Sequence, residues 1–268
     1  MRDFLFVGLD VDTFQGYEQL LPDQQLHIGL STLDTRDLDD AFSNPGSTDR
    51  NQLITSYQLT AGNSQYCRRA SNRFPFGTSQ PTTIEELKAK VESLIPLGRD
   101  IVLVSHGTNS DFKIIQQLNI DLPSRALFVV DTNKAAQFPL RLCYRYGLAK
   151  LLGVLKIPFA NLHAAGNDAR FCLQALLMLV VRDAEQQPSS FPEALVQLFR
   201  DVAQAPRPPT AGEIQAPIHE ANREAKLQKR LRKKAKRAAR RQQRMIQRSQ
   251  QGNVATDTNK VETSEDTD

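Results

Sequence analysis

Short apolar runs separated by polar stretches dominate the first third of the chain. Residues 4–9, 26–35 and 54–60 have the length and composition of β-strands, and 54–60 alternates apolar and polar positions. The polar stretches 36–53 and 61–82, which contain Gly and Pro, are predicted to be loops. The pattern indicates a hairpin or meander of three strands with long connections.

From residue 82 onwards the pattern changes to alternating helices and strands. Apolar residues three and four positions apart predict helices over the segments 82–95, 109–120, 139–155, 167–185 and 192–204. The runs DIVLVSHG and ALFVVDT, which begin at residues 100 and 126, predict buried strands. The order predicts an α/β domain over residues 1–205, with a mixed sheet of three antiparallel strands followed by alternating helix and strand, flanked by helices.

The end of the chain has a different composition. Residues 206–216 are rich in Pro and are predicted to be a linker, and 217–248 consist mainly of good helix formers. Residues 223–248 carry thirteen Lys or Arg against one acid, whereas the whole chain has a net charge of only +4. We therefore predict a C-terminal basic helical arm over 217–248 and an acidic disordered tail over 249–268.

The charge density of the arm indicates contact with a polyanion. A solvated helical face, which is the simpler interpretation, rarely has such an excess of one sign, but a nuclear-import signal has a similar composition. The residues predicted to contact nucleic acid are Lys229, Arg230, Arg232, Lys233, Lys234, Lys236, Arg237, Arg240 and Arg241. In the stretch 61–82 we consider Arg68, Arg69 and Arg73 in the same role, with solvated loop arginines as the equal alternative.

Composition also bears on the compartment. The three cysteines have no close spacing, which argues against a zinc site or an even disulfide framework and favours a reducing compartment. The N-terminus has no signal-peptide pattern, and no apolar run reaches the ~18 residues that a membrane helix needs. We expect a nuclear or cytoplasmic protein that is neither secreted nor inserted in a membrane.

Four acids and one histidine stand at element ends where chemistry is often found. Asp10 and Asp12 are two residues apart at the end of the first strand and so share a face. Asp111 and Asp168 each fall in the first turn of a predicted helix, and His163 precedes Asp168 by five residues. Converging carboxylates are typical ligands of paired divalent cations. The helix dipole favours acids in first turns in any case, and acids at a strand end can simply face solvent.

The order of these residues resembles that of the DEDDh branch of RNase H-like 3′–5′ exonucleases. The corresponding motifs are VGLDVDT followed by LHIGLSTLDT, then VSHGTNSDFKIIQQL, then HAAGNDARFCLQALL. More narrowly, STLDTRDL, RFPFGTS and LHAAGNDARFCLQALL are similar to the exonuclease-like C-terminal domain of a fungal family linked to messenger-RNA export factors. The resemblance covers about residues 4–182.

The resemblance implies a specific activity. Asp10, Asp12, Asp111 and Asp168 would bind two Mg²⁺ or Mn²⁺ ions, and His163 would deprotonate or orient the attacking water. The protein would hydrolyse phosphodiester bonds of single-stranded nucleic acid from the 3′ end, with RNA preferred to DNA. Ribonucleoprotein partners would follow from the link to messenger-RNA export.

Two departures from the family pattern keep an alternative open. Asp12 stands where the family has Glu, and His27 stands where it usually has a Glu before Ile-Gly of the second strand. Mg²⁺ tolerates little deviation from octahedral contacts of about 2.0–2.1 Å, so a shorter acid at position 12 could slow or abolish turnover. The alternatives are an inactive pseudo-nuclease that serves as an RNA-binding or scaffold module, and a protein-interaction platform whose basic helix serves only nuclear import.

Overall fold

A six-stranded sheet forms the centre of the computed structural model, which describes residues 2–46, 49–62, 64–107, 109–187 and 191–257. Its strands are β1 (Phe4–Thr13), β2 (Leu26–Asp34), β3 (Ile54–Ala61), β4 (Ser79–Thr82), β5 (Asp100–Ser105) and β6 (Ala126–Asp131). In space they follow the order β4-β3-β2-β1-β5-β6. The first three strands are antiparallel, and β4, β5 and β6 each run parallel to a neighbour. The predicted mixed α/β class is confirmed and is consistent with an RNase H-like fold.

Helices cover both faces of the sheet. The helices of the first part of the chain are α1 (Thr35–Ser43), α2 (Gln65–Asn72), α3 (Ile84–Ser93), α4 (Asn109–Gln117), α5 (Leu122–Arg125), α6 (Thr132–Ala135), α7 (Leu148–Leu155), α8 (Ala165–Gln186) and α9 (Glu193–Ala203), with a 3₁₀ turn at Arg50–Leu53. The last helix, α10 (Ala211–Asp257), follows them in sequence. One apolar core contains residues of α3 and α4, and the other contains residues of α7, α8 and α9. The sheet is therefore the middle layer of three.

Two glycines let helix α8 lie directly on the sheet. A Cβ atom added to Gly29 of β2 would lie 1.9 Å from the carbonyl oxygen of Ala165, and one added to Gly8 of β1 would lie 2.3 Å from that of Ala169. Both distances are far below van der Waals contact, so any side chain at either position would force the helix away. The sequence of β1 and β2 thus fixes how closely α8 approaches the sheet.

The predicted loops 36–53 and 61–82 are wrong in part, because both contain regular structure. The segment 36–53 contains most of α1. The Asp34 side chain caps this helix by accepting a hydrogen bond from the backbone N–H of Arg36. The second contains α2 and β4, and Ser64 caps α2. Both helices are short and mostly polar, with only two or three buried side chains each, so the periodic apolar signal was too weak to reveal them.

Two further predictions need correction. The strand ALFVVDT was predicted to be buried, but β6 is the last strand of the sheet and Leu127, Phe128 and Val129 are about half exposed. The helix predicted over 139–155 begins only at Leu148. Arg141 in the segment before it adopts a left-handed conformation with φ of 50°, which ends any continuous helix.

The chain divides into two compact units, Met1–Ala211 and Gly212–Asp268. Helix α10 accounts for the second unit as far as it is described. It begins before the predicted arm and extends beyond it, so it includes part of the predicted linker and the first residues of the predicted disordered tail. Residues 258–268 of that tail lie outside the described residues. Within the described ranges, no helix has both the length and the apolar character needed to cross a bilayer.

Candidate active site

The first two acids lie on the face of β1 that helix α8 covers. Asp10 pairs with Gly29 in the antiparallel register of β1 and β2, and Asp12 pairs with His27. Both acids belong to one strand and are two positions apart, so their side chains project to the same side of the sheet. Asp12 is partly accessible, with 24% of its side chain exposed. Strand β1 therefore places two carboxylates beneath the N-terminus of α8.

Asp111 approaches the same strand from helix α4. Strand β5 pairs with β1 only as far as Gly8, so the edge of β1 beyond that residue is free of strand partners on this side. Asp111 Oδ1 accepts from the backbone N–H of Val11 over 3.4 Å, and the Asp111 side chain is buried. The backbone between Asp10 and Asp12 thus holds the third acid close to the first two.

Asp168 and His163 stand at the start of α8. Asp168 Oδ2 accepts from the backbone N–H of His163 over 3.0 Å. Its other oxygen, Oδ1, is buried and has no hydrogen-bond partner in the described part of the chain. His163 has a left-handed backbone with φ of 65°, and its side chain is exposed. The loop therefore presents an imidazole to solvent beside a carboxylate that has one unused oxygen.

Asn167 ties this loop to the segment after α2. Its amide nitrogen donates to the carbonyl oxygen of Asn161 over 2.9 Å and to that of Arg73 over 2.8 Å. Asn167 is fully buried. The main chain of Arg73 is thereby fixed near the start of α8, while its side chain is exposed.

The four carboxylates act on one another electrostatically. Burial raises the pKa of Asp10 well above its ordinary value, and the charges of Asp168, Asp111 and Asp12 raise it further. Burial likewise raises the pKa of Asp111 to about 7, against the lowering effect of the Val11 N–H. The pKa of Asp168 also rises to about 7 through burial, against the hydrogen bond from His163. Carboxylates that are buried and repel one another are stabilised either by binding protons or by a nearby cation.

The oxygen atoms of these side chains are of the type that a hard divalent cation binds. All four side chains offer carboxylate oxygens, and Asp168 Oδ1 is buried with no donor to satisfy it among the residues that the structure describes. As the side chains are placed, however, no group of three or more His, Cys, Asp or Glu among the described residues could hold a metal ion. The acids thus share one electrostatic environment without forming a preassembled set of ligands.

Three aromatic residues beside Asp12 had not been identified as site residues from the sequence. His27 stacks on Tyr66 of α2, with ring centroids 5.0 Å apart and an angle of 27° between the ring planes. The ring centroid of Phe14 lies 5.6 Å from that of Tyr66, and Phe14 is 70% exposed. The available signal was the Phe two residues after Asp12, because a large apolar side chain just beyond a strand end seldom serves the core. Tyr66 lay in a segment that was predicted to be a loop.

The basic residues proposed from the sequence lie in two places. Arg68 and Arg69 are exposed on α2, and Arg73 is exposed at its C-cap. The other residues are exposed on α10, which belongs to the second compact unit: Lys229, Arg230, Arg232, Lys233, Lys234, Lys236, Arg237, Arg240 and Arg241. Their accessibility permits contact with a polyanion.

Comparison with known protein families gives one match. Residues 5–179 match the DEDDh family described as DNA polymerase III subunit epsilon-like, C-terminal domain. The matched range includes β1, α4 and the first part of α8, which carry the acids described above. No curated protein matches the chain in sequence.

Proposed function

Because the chain belongs to the DEDDh family of DNA polymerase III subunit epsilon-like C-terminal domains, we propose that it is a divalent-metal-dependent 3′–5′ exonuclease acting on single-stranded nucleic acid. Membership of this family indicates nuclease chemistry and a nucleic-acid substrate. The direction of digestion, the identity of the substrate and the activity of this particular chain are our proposals.

One observation supports the proposal above all. Asp10, Asp111 and Asp168 come from a strand and two different helices, yet burial and mutual repulsion raise the pKa of each. A fold gains no stability from burying like charges together, so such a cluster is typical of a functional site. Asp168 Oδ1 is buried and has no partner within the described ranges, so a cation would complement it.

Each residue has a defined role in this proposal. Asp10, Asp12, Asp111 and Asp168 would hold two Mg²⁺ or Mn²⁺ ions, which when bound activate water and stabilise the departing 3′ oxygen. The exposed imidazole of His163 accepts a proton from the attacking water, and its backbone bond to Asp168 places it beside the acids. Asp168 therefore acts twice, as a ligand and as the anchor of the base.

Phe14 offers a surface for the terminal nucleotide. Its ring is 70% exposed two residues beyond Asp12, so a base at the scissile end of the strand can stack on it. Arg73, whose main chain is fixed to Asn167, is exposed near the same loop and is positioned for contact with a phosphate. Both contacts are independent of base identity, which suits an exonuclease that acts on successive nucleotides.

RNA is the proposed substrate class, in preference to DNA. The support comes from the resemblance to the fungal family linked to messenger-RNA export factors and from the basic arm on α10. Lys and Arg side chains along an exposed helix attract any polyanion and raise its local concentration without selecting a sequence. Ribonucleoprotein partners and a nuclear or cytoplasmic location belong to the same proposal.

The direct test uses the purified full-length chain and oligonucleotides of one sequence as RNA and as DNA. Each is labelled at the 5′ end or the 3′ end and incubated with Mg²⁺, with Mn²⁺, or with EDTA. A 3′–5′ exonuclease releases labelled mononucleotide from the 3′-labelled strand and produces a ladder from the 5′-labelled strand. Both products should disappear in EDTA.

Two substitutions control for a contaminating nuclease. Asp10→Asn and Asp168→Asn each remove one negative charge while keeping side-chain size, and each should abolish shortening while binding through the arm persists. If folded wild-type protein shortens no strand with either metal, the enzyme proposal is wrong. If either variant retains activity, the roles assigned to these acids are wrong.

A pseudo-nuclease that binds RNA is the second candidate. The shorter Asp12 favours it, and so does the finding that no three acids are arranged to hold an ion as placed in the described residues. Asp12→Glu restores the family residue and discriminates between the two. A gain of activity from an inactive wild type would locate the defect in the length of this acid, and continued inactivity would favour a binding role.

A further inference from the structure

His27 presents a buried N–H to the carboxylate of Asp12. The ring has no exposed surface, and its Nδ1 accepts from the backbone N–H of Ala165 over 3.2 Å. A neutral imidazole that accepts at Nδ1 carries its proton on Nε2. His27 Nε2 lies 3.8 Å from Asp12 Oδ2 and has no other partner in the part of the chain that the structure describes. Among the described residues, this donor therefore faces the carboxylate of Asp12.

Tyr66 presents a second buried donor to the same acid. Its hydroxyl is buried and makes no hydrogen bond of good geometry within the described residues. The Tyr66 ring stacks on His27, whose Nε2 faces Asp12 Oδ2 over 3.8 Å. The carboxylate with which this hydroxyl interacts is that of Asp12.

Ring stacking keeps the His27 Nε2–H group and the Tyr66 hydroxyl in fixed positions relative to each other. The rings of His27 and Tyr66 lie 5.0 Å apart and nearly parallel, so neither can turn away without losing the contact. The bond from Ala165 fixes the imidazole at its other end, at the first residue of α8. Two preoriented donors beside a carboxylate can take up one of its oxygens and leave the other directed away.

We propose that His27 and Tyr66 are positioning residues that hold one oxygen of Asp12 and direct the other toward the divalent cation. This inference rests on the proposed function. A small rotation of the Asp12 side chain would shorten the 3.8 Å separation to a hydrogen bond. The shorter acid and His27 then form a matched pair, since donors attached to β2 and α2 fix the orientation of a carboxylate that lies one methylene closer to the backbone than that of Glu.

A purely structural role for the stack makes a different prediction. If Tyr66 and His27 serve only to pack α2 against the sheet, their loss lowers stability and affects metal binding only through the fold. If they position Asp12, their effect depends on that carboxylate and disappears when it is removed. A double-mutant cycle separates the two roles.

The experiment measures Mn²⁺ binding to the full-length chain without nucleic acid, by the loss of the free-ion EPR signal, together with thermal unfolding. Tyr66→Phe keeps the stacked ring and removes only the hydroxyl. Partners that orient a metal ligand typically contribute 10–100-fold in affinity, so we expect Mn²⁺ to bind about tenfold more weakly. The melting temperature without metal should change little.

The chain offers a matched control in Tyr17. Its hydroxyl donates to the backbone carbonyl of Val11 over 3.0 Å, close to the same acids but not toward a carboxylate. Tyr17→Phe should leave Mn²⁺ affinity within about twofold of wild type, because it removes no partner of a proposed ligand. His27→Asn provides a second test, since a shorter amide can still accept from Ala165 but cannot reach Asp12.

The cycle repeats Tyr66→Phe in an Asp12→Asn background, where it should have no further effect on Mn²⁺ affinity. Equal additional loss in that background would overturn the inference, and so would wild-type affinity in the Tyr66→Phe single variant. If the folded wild type binds no Mn²⁺ at millimolar concentration, the proposed metal-dependent function itself fails. These failures are distinct because only the last involves the unsubstituted protein.

Discussion

The backbone N–H of His163 donates to Oδ2 of Asp168 over 3.0 Å, while the imidazole of His163 remains exposed. The main chain of this residue therefore binds Asp168, and its side chain takes no part in that contact. The main chain adopts a left-handed conformation with φ of 65°, which costs a non-glycine residue about 1–2 kcal/mol. This separation allows the proposed base to be removed without loss of the loop.

His163→Gly should abolish catalysis without destabilising the protein. Glycine adopts positive φ without strain and keeps the N–H that Asp168 accepts, so the free energy of unfolding should be unchanged or raised by about 1 kcal/mol. His163→Ala should lose the same activity and be less stable than His163→Gly. Single-turnover rates and urea unfolding of both variants check this. Activity retained by His163→Gly would contradict the role of the imidazole.

Gly29→Ala should be among the most damaging single substitutions. Its Cβ would lie 1.9 Å from the Ala165 carbonyl oxygen, so α8 must move, and overpacking of this kind costs about 1–3 kcal/mol or more. Nuclease activity should fall as well, because Asp168 moves with the helix. Gly153→Ala in α7 is the control, since no atom lies within 4 Å of its added Cβ and helix propensity favours Ala by about 1 kcal/mol. Chemical denaturation compares the two variants.

The acid cluster predicts an unusual pH dependence in EDTA. Asp111 and Asp168 have pKa values of about 7 in the fold against 3.8 for an ordinary Asp. Between these values the folded state binds more protons than the unfolded state, so the free energy of unfolding should fall as pH rises from about 4 to about 8. The loss should amount to about 4 kcal/mol for each acid, since each pKa unit corresponds to about 1.4 kcal/mol.

Asp168→Asn should flatten this dependence, because an amide does not titrate and still accepts from His163. Mn²⁺ should restore the stability of the wild type at pH 8 and have less effect on Asp168→Asn. Asp23→Asn, which changes an exposed acid between β1 and β2, serves as the charge-matched control. Thermal unfolding from pH 4 to 8 with and without Mn²⁺ measures all three. A wild-type stability that does not fall over this range would mean that the acids are not coupled as described.

The basic arm should govern the salt dependence of binding and leave chemistry unaffected. Replacing the nine predicted Lys and Arg residues of α10 with Gln keeps good helix formers. Each lost phosphate contact should lower the slope of log K against log salt by about 0.7 for a single strand. Fluorescence anisotropy with RNA from 50 to 300 mM salt measures the slope, and kcat on saturating oligonucleotide should be unchanged. An unaltered slope would leave nuclear import as the use of the arm.

Most of the fold could be predicted because its core elements carry strong periodic signals. Helix α3, with its Thr83 and Glu86 capping box, and strand β5 both lie where the pattern placed them. Helices α1 and α2 were missed because side-chain caps and a few buried residues form them with little apolar periodicity. The burial of β6 was wrong because a parallel strand at the edge of a sheet has the same apolar composition as a central one.

The residues of the candidate site could likewise be predicted only in part. The acids could be proposed from the sequence because order and spacing along the chain carried the resemblance. The sequence showed His27 only as a departure from the family pattern. Its contacts with Ala165 and Asp12 depend on the strand register and on where α8 packs against the sheet. Tyr66 stacks on His27 from α2, a helix that the sequence did not reveal. Contacts between side chains of separate elements leave no mark in local spacing unless, as for the acids, the order of motifs along the chain connects them.

The close packing of α8 on Gly8 and Gly29 has a further consequence for how this protein could change. Backbone carbonyl groups of α8 lie against the α-carbons of both glycines, so the spacing between α8 and strands β1 and β2 is set by the main chain. Exchanges of apolar side chains elsewhere in the core leave this main-chain contact in place. We therefore expect adaptation to a shorter acid or a larger cation to arise from the side chains around the acids and not from a shift of α8.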